Sequence, residues 1–179
     1  MQYSIWNKTE NPIGIVQFIH DSDWSATHYH DFIKHLNENR YIVCDSDIKN
    51  AHDLTNMPHN LPVFLIGVGR GGRIAQKISC RNKKYTGAIS VMAHGTMLNL
   101  FENIFPHRDT APQIPLMIIG GWSALRQINA YSAINMNEEC DIRNINLLIY
   151  PEICPNTAFN IAQNDIISFM NNTQKSKYQ

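Results

Sequence analysis

The sequence predicts an α/β fold: a doubly wound, mostly parallel sheet of six strands with helices on both faces. Two observations carry this. Six short apolar runs lie along the chain with helix-period segments between several of them, which is the alternation of βα units. The runs are also continuously apolar, as strands are when both faces of a parallel sheet are covered. Right-handed crossovers then limit the topology to a doubly wound sheet.

The first strand is "IGIVQFIH" (13–20), rich in β-branched residues and preceded by Pro12. A helix follows, on whose face Tyr29, Phe32, Ile33 and Leu36 recur at i, i+3, i+4, i+7. "YIVCD" (41–45) is the second strand, and a polar stretch, 46–60, leads to the third, "LPVFLIGV" (61–68). A helix over about 70–80 buries Ile74, Ala75 and Ile78. "YTGAISVMA" (85–93) and "IPLMIIGG" (114–121) are the fourth and fifth strands, and a weaker helix near 124–137 carries Leu125, Ile128 and Tyr131. "INLLIYP" (145–151) is the sixth strand. The last helix, about 156–171, opens at Asn156 as N-cap and packs Ala158, Ala162, Ile166 and Phe169. The tail, 170–179, is expected to fray. No internal repeat interrupts this order, so residues 1–179 read as a single domain.

Composition narrows the function classes. The chain has 179 residues, 44% hydrophobic and 17% charged, enough for one domain to bury roughly 70% of its unfolded surface. Lys plus Arg equals Asp plus Glu at 15 each, so no global field recruits nucleic acid or an anionic membrane. No apolar run reaches the ~18 residues of a membrane span, and the N-terminus lacks a signal-peptide core, so a cytoplasmic location is expected. Cys44, Cys80, Cys140 and Cys154 show no C-x-x-C spacing and read as buried thiols rather than a zinc site or disulfide framework.

The stretch "FLIGVGRGGRIA" (64–75) fits two templates. Gly67, Gly69 and Gly72 spell G-x-G-x-x-G, a dinucleotide fingerprint. Two βα units already precede it, however, and the next strand ends in Met92-Ala93-His94 without the carboxylate that would hold a ribose. Laid on residues 67–71, the nucleophile elbow G-x-S-x-G reads Gly67-Val68-Gly69-Arg70-Gly71, with Gly69 where the serine would stand.

The second template extends further. "GIVQFIHDSDWSATHYHDFIKHLNENRYIVCDSD" (14–47), with Tyr29, Phe32, Leu36, Tyr41 and Val43, resembles the opening of the monoacylglycerol lipase and lysophospholipase branch of the α/β-hydrolase superfamily. "LPVFLIG", "YTGAIS", "IPLMIIGG" and "LLIYPEICPNTAFN" resemble that family's nucleophile strand, the strand after it, and the strands that deliver the acid and the histidine. The resemblance implies a minimal α/β-hydrolase-like fold, in which the second strand lies outside the first and the third to sixth lie on its other side. It also implies a catalytic triad that is absent here: its serine, acid and histidine positions read Gly69, Ala124 and Pro155, in the last case within Cys154-Pro155-Asn156. The family's His-Gly at the first strand reads His20-Asp21, and only about twenty residues, 94–113, stand where the family carries a lid.

Triad members act as a unit, so the expectation is a catalytically inactive pseudohydrolase with a binding or structural role, for a small molecule or a protein partner. No cofactor, nucleic acid or membrane span is expected. The crevice at the carboxyl ends of the strands should be lined by His20, Asp21, Ser22, Gly69, Arg70, His94, Trp122 and Cys154. Two alternatives stay open. One is a hydrolase with relocated groups, Cys154 as nucleophile and His94 as base. The other is anion or nucleotide binding at the turn 67–72, where a helix N-terminus and Arg70 meet. "DSDWSATHYHD" (21–31) holds several potential metal ligands, but a solvated helix start explains it with fewer assumptions, and no metal is expected.

Overall fold

The computed structural model describes residues 4–6, 10–20, 26–47, 60–93, 112–121, 145–150 and 155–177. The strands are β1 (Ser4–Trp6), β2 (Gly14–His20), β3 (Tyr41–Asp47), β4 (Val63–Val68), β5 (Gly87–Val91), β6 (Leu116–Gly120) and β7 (Ile145–Ile149). A 3₁₀ turn, Ala26–Tyr29, leads into helix α1 (His30–Glu38); α2 spans Arg70–Ser79 and α3 spans Pro155–Lys177. The strands form one sheet in the order β1-β3-β2-β4-β5-β6-β7. The six strands from β2 to β7 are parallel to their neighbours, in the order expected from the sequence. Strand ends shift by a residue or two, as boundaries do.

Three features differ from expectation. The three-residue β1 pairs antiparallel with β3, Ser4 opposite Asp45 and Trp6 opposite Val43. The last helix begins at Pro155 rather than being capped at Asn156; proline's fixed φ and missing N–H suit a first helical position. Nor does the tail fray at 170: the helix continues to Lys177. Met170 and Thr173 are buried. The Tyr41 hydroxyl donates to Asn171 Oδ1 at 2.8 Å and accepts from Gln174 Nε2 at 3.2 Å. The segment expected to fray is thus tied to the start of β3. The helix expected near 124–137 lies outside the described residues.

Each sheet face has its own core. On one, α1 and α3 cover Val16, Phe18, Val43, Phe64, Ile66, Ile89 and Met117. Phe18, Tyr29, Phe32 and Phe159 form an aromatic knot there, with Phe32 and Phe159 stacked at 4.3 Å and Tyr29 edge-on to Phe159 at 5.3 Å. On the other face, α2 covers Ile19, Leu65, Ala88, Leu116 and Ile118 with Ala75 and Ile78. A polar chain runs through this interior. The Tyr85 hydroxyl donates to Gln17 Oε1 at 2.7 Å, Gln17 Nε2 to Ser46 Oγ at 3.3 Å, and Ser46 Oγ to the Phe18 carbonyl at 3.4 Å. Cys44 and Cys80 are buried, whereas Cys140 and Cys154 lie outside the described residues. No helix among the described residues is long and apolar enough to cross a membrane.

Burial pushes the Cys44 thiol up to about 11 and the Tyr41 phenol up to about 12, the latter partly offset by the Gln174 hydrogen bond. In the unfolded chain these groups ionise nearer 9.0 and 10.0. The folded state therefore holds protons that the unfolded state releases, and stability falls as pH rises through this window. Chemical denaturation between pH 8 and 12 should show that fall. Cys44→Ala should flatten its lower part and Tyr41→Phe its upper part. At neutral pH Tyr41→Phe should cost about 1–2 kcal/mol for two lost side-chain hydrogen bonds.

Candidate functional site

The carboxyl ends of β2, β4 and β5 meet at the first turn of α2. Strand β4 is buried from Phe64 to Val68 and turns into α2 through one residue, Gly69. Gly69 has φ 58° and ψ −120°, outside the regions that residues with a Cβ adopt without strain and accessible to glycine. Its N–H donates to the Val91 carbonyl at 3.0 Å, at the end of β5, and its carbonyl accepts from Arg73 N–H at 3.4 Å, opening the helix.

The glycines around it are required by close approach. A Cβ on Gly67 would collide with the Gly71 carbonyl, and one on Gly71 with the carbonyl of Ile19 in β2. A Cβ on Gly72 would stand 3.0 Å from Ser90 Oγ. That hydroxyl accepts from Gln76 Nε2 at 2.8 Å, fully buried under the turn. Met92, just beyond β5, also has positive φ, 46°, so two adjacent strands leave the sheet through uncommon backbone conformations.

This is a strand–turn–helix elbow built on a central parallel strand, and solved structures share the fold that carries it. Est1E from Butyrivibrio proteoclasticus superposes with a TM-score of 0.69 at 10% identity, covering 97% of this chain and 93% of that one. A soluble variant of monoglyceride lipase from Saccharomyces cerevisiae gives 0.64 at 14% identity, covering 96% and 90%. FphF, a fluorophosphonate-binding serine hydrolase of Staphylococcus aureus, gives 0.62 at 15%, covering 92% and 86%. The chain has the α/β-hydrolase fold. The sequence itself matches no protein-family model and no curated protein.

Within this α/β-hydrolase fold, the described residues bring two of the expected crevice residues together. Ile19 is in register with Gly67, so His20, the next residue of β2, lies level with Val68 and beside Gly69. Arg70 begins α2 with its side chain exposed. Pro155 begins α3. Asp21, Ser22, His94, Trp122, Ala124 and Cys154 lie outside the described residues. His28, His30 and Asp31 are exposed at the start of α1. Among the described residues no group of three or more potential metal ligands converges.

The structure adds a residue that the sequence reading missed. His20 Nε2 stands 2.9 Å from Asp45 Oδ1, with both side chains largely buried; that oxygen is in no hydrogen bond of standard geometry. His20 is in register with Asp47, so Asp45 lies two residues back on the same face of the neighbouring strand. The contact is one of charge and proximity rather than an aligned hydrogen bond. The carboxylates of "DSD" at the end of β3 were the available signal, legible only once β3 is known to neighbour β2.

The elbow's tightness is open to measurement. Gly71→Ala should lower the urea midpoint and cost about 1–3 kcal/mol or more, because the clash is with strand backbone and cannot be relieved by a rotamer change. An unchanged midpoint would show that α2 can lift off β2 freely.

Proposed function

We propose that this chain is a non-catalytic member of the hydrolase fold, a pseudohydrolase whose crevice serves binding or structure. The observation that carries this reading is Gly69: the one residue of the elbow, where a serine hydrolase presents its nucleophile, has no side chain. By the sequence resemblance, Ala124 and Pro155 stand where the acid and histidine would be, so no triad member remains to act with a restored serine. A backbone at φ 58° and ψ −120° costs a non-glycine residue on the order of 1–3 kcal/mol. Glycine removes that cost once attack on a carbonyl is no longer required. The ligand is a small molecule or a protein partner admitted at the carboxyl ends of the strands.

Activated esters and a fluorophosphonate probe test this directly. The purified chain should turn over no ester and take up no probe. Gly69→Ser should restore neither and should lower stability by about 1–3 kcal/mol in chemical denaturation. Ester turnover above the buffer rate by the parent chain would overturn the reading.

One observation favours a second reading, a hydrolase with relocated groups. His20 and Asp45, 2.9 Å apart beside the elbow, supply an imidazole that could act as base and a carboxylate that could orient it once the contact aligns with substrate bound. On that reading, turnover would be present in the parent chain and abolished by His20→Gln. Loss with Cys154→Ser instead would assign the nucleophile to the histidine-loop position.

A further inference from the structure

Helix α2 carries a charge distribution that extends beyond Arg70, away from the crevice. From Leu54 to Phe101 the chain has no Asp or Glu, while Arg70, Arg73, Lys77, Arg81, Lys83 and Lys84 fall within that span. Six of the chain's 15 cations are therefore gathered in a molecule whose net charge is zero. Arg70, Arg73 and Lys77 recur at three- and four-residue intervals, so they share one helix face over about 10 Å. Arg81 prolongs the row in the turn that continues α2, its N–H bonded to the Ile78 carbonyl at 2.9 Å.

All six side chains are exposed. The opposite helix face, with Gly71, Gly72, Ala75 and Ile78, is buried against the sheet. The ion pairs between described residues, His20–Asp45 and Lys34–Glu38, include none of Arg73, Lys77, Arg81, Lys83 and Lys84. Beside the row lies a groove of about 440 Å³ lined by Ile74, Lys77, Ile78, Arg81 and Asn82. Its floor is aliphatic and its rim cationic.

We infer that this face docks an acidic segment of a partner protein, one with carboxylates flanking an apolar side chain. The carboxylates would meet Lys77 and Arg81, about four residues and hence ~6 Å of helix rise apart, the spacing of acidic residues at i, i+4 on a partner helix. The apolar side chain would enter the groove over Ile74. Single-stranded nucleic acid gains most from aromatic platforms, and the aromatic residue that follows this cluster, Tyr85, is 2% exposed. A bilayer would need an apolar face to bury, and that of α2 is already covered by the sheet. The site stands apart from the crevice and holds whether or not the elbow is catalytic.

The test uses the full chain and a fluorescein-labelled synthetic helix with glutamates at every fourth position around a central leucine, read by fluorescence anisotropy at low salt. The expected result is saturable binding that weakens roughly tenfold in Lys77→Gln/Arg81→Gln, the order expected for two charge-assisted contacts. Binding should stay unchanged in Lys34→Gln/Lys175→Gln, which removes equal charge from the other side of the sheet. A peptide with the leucine replaced by glutamine should bind more weakly than the parent peptide. If melting shows that the first double variant is misfolded, Lys83→Gln/Lys84→Gln, in the exposed turn, replaces it with the same expectation of weakened binding. No saturable binding, or equal loss in the variants of both faces, overturns the assignment. So does polyuridine or a phosphatidylserine vesicle binding through Lys77 and Arg81 more tightly than the peptide.

Discussion

The architecture depends on how closely two stretches of backbone approach one another. The first turn of α2 lies directly on the ends of β4 and β2, with the Gly71 carbonyl against Gly67 and Gly71 itself against the Ile19 carbonyl. No side chain fits between them. That contact sets the height of α2 over the sheet, and with it the depth at which Ala75 and Ile78 reach Leu65 and Ala88. It also brings the ends of three adjacent strands to one level, so His20, Gly69 and Val91 share an edge. A pair of missing methyl groups thus positions both a core and a crevice.

Polar groups inside the sheet make the arrangement specific. Gln17, Ser46 and Tyr85 link β3, β2 and the approach to β5 through side chains that are nearly all hidden from water. Gln76 and Ser90 do the same between α2 and β5. Buried amides and hydroxyls cost stability unless they are paired, so these pairs penalise any register other than the native one. The aromatic knot of Phe18, Tyr29, Phe32 and Phe159 works differently. It joins β2, α1 and α3 by area and ring geometry and tolerates small shifts better than a hydrogen bond does.

The parallel strands were legible in the sequence because each is a continuous apolar run, and their order followed from the resemblance to the α/β-hydrolases. The glycine stretch was ambiguous because two templates ask for similar spacings, and spacing alone does not separate them. β1 gave little signal, since three residues have no periodicity and are held by pairing with β3. The end of α3 misled for a related reason. "NNTQKSK" is polar, and its helix is held by contacts with Tyr41 that composition does not encode. Asp45 could be read as a carboxylate at a strand end, but its meeting with His20 depends on interstrand register. Local chemistry was visible, and partnership across strands was not.

The link between Tyr41 and Asn171 spans 130 residues of chain. Contacts of such separation are slow to form, because a long loop must close before they contribute. On a ribosome, β3 is made well before the helix that will cover its start. Until α3 emerges, the faces of Val16, Phe64 and Met117 that it later covers stay open to water and to other nascent chains. Burial of that sheet face is therefore timed by the synthesis of α3.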